Sequence, residues 1–128
     1  MGRLKNSGPR LANGQECALL LLRLLEKRNE EAPAVSRARL SEMTLRRLWG
    51  RDRISRELLE EIEEWLWRGG WSLFYARTTF GIIKTSAVLS WARLSSKRMA
   101  EELEQVRQGT FDFDSCLQLI GDEQGEHD

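Results

Sequence analysis

Residues 37–71 read RARLSEMTLRRLWGRDRISRELLEEIEEWLWRGGW, and this stretch decides the fold. It opens inside VSRARL (35–40), where apolar and polar residues alternate with the period of a short half-buried strand. Ser41 then has the chemistry of a helix N-cap, Leu45 and Leu48 turn inward, Arg46 and Arg47 turn outward, and Gly50 stops the segment. A second helix begins near Ser55. In it Leu58, Ile62 and Leu66 recur at i, i+4 and i+8, flanked by Leu59 and Trp65, until Gly69–Gly70. The reading is a strand, two helices joined by a tight turn, and an exit into whatever follows.

The same stretch changes sign. Residues 37–56 hold seven arginines against two acids, Glu42 and Asp52, and the next eight residues hold five glutamates and no base. No linker separates the two runs, so both charges belong to one small structural unit. Among the acids only the pairs Arg53–Glu57, Arg56–Glu60 and Glu64–Arg68 have the spacing for local relief, each about 0.2–0.5 kcal/mol.

Upstream, Asn13 and Glu16 have the spacing of a capping box, predicting a helix from about Gly14 to Asn29. Its apolar stripe is wide: Ala18, Leu21, Leu22 and Leu25, with Leu20 and Leu24 on a flank. A stripe of that width fits a central helix or one that also faces a second subunit. Residues 1–12, with Arg3, Lys5 and Arg10 among glycines and a proline, read as a flexible basic arm. Downstream, WSLFYA (71–76) and FGIIKT (80–85) form a β-hairpin around Arg77-Thr78-Thr79, a tip without the Gly or Asn usually favoured there. A helix follows over 96–108, with Met99, Leu103 and Val106 on one stripe. Residues 109–128 form an acidic tail that includes one more short helix and could mask a basic surface.

This order, helix, strand, helix, turn, helix, hairpin, is similar to the winged helix-turn-helix superfamily over residues 14–85. The Gly50 turn and the LWRGGWSLF passage carry the resemblance. The expected fold is mainly α with a small β-hairpin (α+β), a winged helix-turn-helix with an added C-terminal helix. Its expected parts are an arm (1–12), a domain with appended helix (13–108) and a tail (109–128). In that superfamily the start of the third helix enters the major groove while the wing touches the backbone. The resemblance therefore implies Arg53, Ser55, Arg56 and Glu57 near bases, and Arg46, Arg47, Arg51, Arg77 and Lys84 near phosphates. Lys97 and Arg98 extend the same basic set. The acidic run restricts this to a shallow insertion of the first helical turn.

The resulting expectation is a sequence-specific, double-stranded-DNA-binding transcriptional regulator, dimeric through the first helix or the helix 96–108. The contrasting expectation is a protein-interaction module in which Glu60, Glu63, Glu64 and Trp67 contact a basic partner. Trp67 sits on the polar side of its helix, as an interface anchor or beneath the chain's own hairpin or last helix; Trp49, Trp65, Trp71 and Trp91 are expected in the core.

The totals agree with a binding protein. Net charge is zero over 128 residues, yet residues 1–56 hold 13 Lys/Arg against 6 Asp/Glu and the remainder 7 against 14. Such asymmetry points to a nucleic-acid surface or an acidic segment that competes for one. Catalysis is not expected. The single histidine, His127, lies in the acidic tail, and no phosphate-binding or dinucleotide motif appears. Cys17 and Cys116 have neither metal spacing nor a disulfide framework. No cofactor, no metal and no membrane contact are expected, and a reducing cytoplasm is the expected location.

Overall fold

The computed structural model describes residues 10–121, and the chain divides after Trp91 into two compact units. Most of the expected basic arm and residues 122–128 of the expected acidic tail lie outside the described residues.

The first unit opens with helix α1, Gly14–Glu31. Both arms of the Asn13–Glu16 capping box are formed: the Asn13 Oδ1 accepts the Glu16 N–H and Glu16 accepts the Asn13 N–H, each at 2.9 Å. Strand β1 is Arg37–Leu40, helix α2 is Glu42–Trp49 and helix α3 is Arg56–Arg68. Ser41 caps α2 and Ser55 caps α3, each through a 3.1 Å bond to an N–H three residues on. Gly50 ends α2 in the left-handed region at φ 66, where its N–H and that of Arg51 reach back to the carbonyls of the last turn. An L side chain there would strain the turn that sets α3 against α2.

Strands β2 (Trp71–Ala76) and β3 (Thr79–Lys84) form the hairpin, and β1 pairs with the other edge of β3. The sheet is antiparallel with order β1-β3-β2. A short helix α4, Thr85–Val88, closes the unit. The architecture is mainly α with a small antiparallel sheet, and its element order is compatible with a winged-helix arrangement.

Cys17, Leu21, Leu45, Trp49, Ile62, Leu66 and Ile82 form the fully buried centre, so α1, α2, α3 and the sheet each contribute to one core. Trp49 ties two of these elements together, since its indole N–H donates to the Cys17 carbonyl at 2.9 Å inside the core. Trp65 and Trp71 pack partly buried against that core. The expectation that Trp91 is a core residue is corrected: it follows α4 at the end of the unit and is 55% exposed.

The hairpin tip also differs from expectation. Thr79 already pairs with Ala76, so the connection is Arg77-Thr78 alone. Two-residue hairpin turns need φ > 0, and Arg77 supplies it at φ 65 without being glycine. For an L residue that conformation costs about 1–2 kcal/mol.

In the second unit a 3-10 turn, Ser96–Met99, runs into helix α5, Ala100–Gln108, which ends at Gly109 in the left-handed region. Its expected apolar stripe of Met99, Leu103 and Val106 remains largely exposed. A second 3-10 turn, Asp114–Cys116, and the short helix α6, Gln118–Gly121, follow. Among the described residues no helix is long and apolar enough to cross a membrane.

Gly81 shows how closely the sheet is fitted. Phe74 faces it across the β2–β3 ladder, and a Cβ on Gly81 would stand 2.2 Å from the Phe74 Cζ. Gly81→Ala must therefore push the ring aside. We expect a loss of stability in the native background and none in Phe74→Ala, a coupling of about 1 kcal/mol in a double-mutant cycle of chemical unfolding. Equal effects in both backgrounds would show that the ring does not depend on the missing side chain.

Candidate nucleic-acid interface

Four of the expected phosphate and base contacts stand free on the first unit. Arg47 near the end of α2, Arg53 and Arg56 at the start of α3, and Arg77 at the hairpin tip are exposed, and none makes a side-chain hydrogen bond or ion pair among the described residues. The expected relief pairs Arg53–Glu57 and Arg56–Glu60 are not formed; only Glu64–Arg68 closes, at 3.4 Å. Ser55 lies between Arg53 and Arg56, but its oxygen already accepts the Leu58 N–H. Its hydroxyl hydrogen is what remains for another acceptor.

Three other expected contacts are placed differently. Arg46 donates to the Asp52 carbonyl at 2.9 Å and sits 3.9 Å from Glu42, bracing the turn between α2 and α3. Arg51 reaches back to the Ala12 carbonyl at 2.6 Å and holds the lead into α1. The Nε atoms of both arginines are shut off from solvent. Lys84 pairs with Trp71 at the end of the hairpin away from Arg77, roughly 17 Å along the strand at about 3.3 Å per residue. Its ammonium lies 5.8 Å from the Trp71 ring, beside α1 residues such as Arg23 and Glu26. Lys97 and Arg98 lie in the second unit, exposed on its 3-10 turn.

The acids occupy the shaft of α3. With Ile62 and Leu66 buried, helical spacing turns Glu57, Glu60, Glu64 and Trp67 toward solvent. Glu60, Glu63, Glu64 and Trp67 line a groove of about 290 Å³ whose other wall is Ser72 and Leu73 of β2. Trp67 is 64% exposed, so the hairpin does not cover it. Partial burial, and then the neighbouring Glu60 charge, push the Glu63 carboxyl above its ordinary range. Glu61 leaves this set and lies against the first turn of α1 in the space that Gly14, lacking a side chain, leaves open. A carboxylate at a helix N-terminus is favourably placed against the dipole.

The sequence reading singled out no residue on the sheet face turned from the core, although the alternation of β1 already set Arg37 and Arg39 on one side. Strand register brings them together with Phe74, Gly81 and Ile83, and Trp91 borders the same depression. Phe74 and Trp91 carry no sequence signal for this placement, because cross-strand register and the chain path after α4 set it.

Burial raises the Cys17 thiol above its usual value, only partly opposed by the Arg51 guanidinium, so the buried sulfur stays protonated. Among the described residues no group of three His, Cys, Asp or Glu is placed to hold a metal ion.

The two classes of arginine separate in a stability measurement. Arg51→Met should lower stability by about 1–3 kcal/mol, because a backbone carbonyl loses a charged donor. Arg53→Met should stay within about 0.5 kcal/mol. Glu63 gives a pH signature. Its folded-state pKa lies above the unfolded one, so folding is penalised once pH rises past the unfolded value, and fully so above the folded value. Glu63→Gln should therefore raise the melting temperature at pH 7, with the gain vanishing below about pH 4, where both forms are neutral. A gain that persists in acid would exclude the charge as its cause.

No protein-family model, no curated protein and no solved structure matches this chain.

Proposed function

We propose that this chain is a member of the winged helix-turn-helix superfamily that binds double-stranded DNA sequence-specifically, as a cytoplasmic transcriptional regulator. The observation that carries the reading is the set of four exposed arginines, Arg47 near the end of α2, Arg53 and Arg56 at the start of α3 and Arg77 at the hairpin tip, none with a side-chain partner among the described residues. Unpaired backbone N–H groups and the positive dipole end at a helix N-terminus favour phosphate, and guanidinium groups add bidentate contacts. Arg77 supports it independently. A turn that glycine would make without strain holds instead an arginine at φ 65. Insertion is confined to the first turn of α3, where Arg53 and Arg56 reach base edges, because Glu60 and Glu64 further along would meet phosphates. Exposed Leu20 and Leu24, one turn apart on α1, provide an apolar patch for pairing two copies on a two-fold site.

The groove beside α3 favours a second reading, in which the module binds a protein. Four α3 residues, three of them carboxylates and one an exposed tryptophan, fit a Lys/Arg-rich segment of a partner, since buried tryptophan commonly anchors interfaces.

Fluorescence anisotropy with a labelled mixed-sequence duplex tests the first reading and distinguishes it from the second. Arg53→Glu with Arg56→Glu should abolish duplex binding at moderate salt, and native affinity should fall steeply with salt as counterions are released. Unchanged duplex binding by that variant would sink the DNA reading. Binding of a Lys/Arg-rich peptide that is lost in Trp67→Ala, with no duplex binding by the native chain, would establish the second reading in its place.

A further inference from the structure

The sheet face turned from the core combines three properties. It is a largely apolar depression in which Phe74 of β2 lies over Gly81 of β3, with the buried Ile83 at its floor. It carries aromatic rings that are open on one side: Phe74 is 49% and Trp91 55% exposed. Its charged side chains are all of one sign, because Arg37 and Arg39 of β1 line the depression and no acid does. Neither arginine is engaged in a hydrogen bond or ion pair among the described residues, and both are exposed. The Phe74 ring is held over Gly81 because a Cβ there would occupy the place of its outer edge. A glycine under an aromatic ring is thus what lets the ring lie on the sheet instead of standing off it.

An occupant must be anionic, to neutralise two guanidinium groups, and must present flat apolar faces to two rings. Single-stranded nucleic acid does both, with phosphates on the arginines and bases stacked on the rings. A duplex does not, because its base faces are already stacked on one another. The depression, about 470 Å³, is of a size common for ligand sites. Its half-exposed rings mark an open surface suited to a chain laid across it. We propose that this face binds single-stranded nucleic acid, with Phe74 and Trp91 as stacking platforms and Arg37 and Arg39 as phosphate contacts. The site shares no residue with the duplex-binding set at α3, so it stands or falls separately from that reading.

The test uses the full chain and a fluorescein-labelled twelve-nucleotide thymidine homopolymer, followed by anisotropy over a salt series. The native chain binds it, and Phe74→Ala and Trp91→Ala each weaken binding about tenfold, the range of one lost stack. Phe74→Leu keeps apolar cover over Gly81 while removing the π face, and should weaken binding comparably with an unchanged melting curve. Arg37→Ala and Arg39→Ala should each reduce the logarithmic salt slope by about 0.7. Arg53→Glu with Arg56→Glu should leave single-strand binding intact even where duplex binding is lost. The proposal is overturned if the native chain does not bind the oligonucleotide, or if the ring variants bind it as the native chain does. It is also overturned if binding disappears with Arg53 and Arg56. A Glu/Phe-rich peptide that binds in an Arg37- and Trp91-dependent manner, where the oligonucleotide does not, would assign the face to a protein ligand instead.

Discussion

The acidic surface and open groove of the first unit depend on how α3 is rotated. Ile62 and Leu66 are completely buried, and truncating either in a packed core costs about 2–5 kcal/mol. The charge pairs along α3 are worth a few tenths each and, lying within one helix, do not oppose that rotation. Burial therefore decides, and the charges take the positions it leaves. Arg56 falls at the first turn, Glu60 and Glu64 point outward along the shaft, and Trp67 stands in the open groove against β2. The electrostatic pattern is a consequence of packing, imposed on a helix whose own charges repel one another.

Both signs stay largely unneutralised along this stretch. Arg53 and Arg56 are close enough in sequence to Glu57 and Glu60 for helical pairing, yet neither pair forms, whereas Glu64–Arg68 at the other end of α3 does. Other cations of the same stretch brace the framework instead. Arg46 holds the Asp52 carbonyl and Arg51 the Ala12 carbonyl, so the turn after α2 and the lead into α1 are fastened by arginines. An arginine-rich run thus divides into residues that hold the fold and residues without a side-chain partner among the described residues. Exposure and hydrogen-bond partners divide them; sequence position does not.

The capping and turn signals were legible because they are local. Asn13 with Glu16, Ser41, Ser55 and Gly50 each act within four residues, and each bounds a helix where its chemistry requires. The core stripe of α3 was legible because a helix repeats at 3.6 residues. Placements set by cross-strand partners were not. Lys84 reads as part of a wing, but ladder register puts it opposite Trp71 at the far end from Arg77. Trp91 reads as core by residue type, yet follows the last short helix of the unit and borders the outer sheet face.

Taken alone, the amino-acid sequence determined the helices, the hairpin, the buried stripe and the abrupt change of sign at Arg56–Glu57, since each follows from periodicity or from side chains acting on nearby backbone. Tertiary structure decided which charges are free. It bound Arg46 and Arg51 to distant or turn carbonyls, opened the groove at Trp67, and used Gly81 to seat Phe74 on a sheet face shared with Arg37 and Arg39. The physical reason is range: caps and periods act over one or two turns, whereas a free surface is whatever long-range packing leaves uncovered.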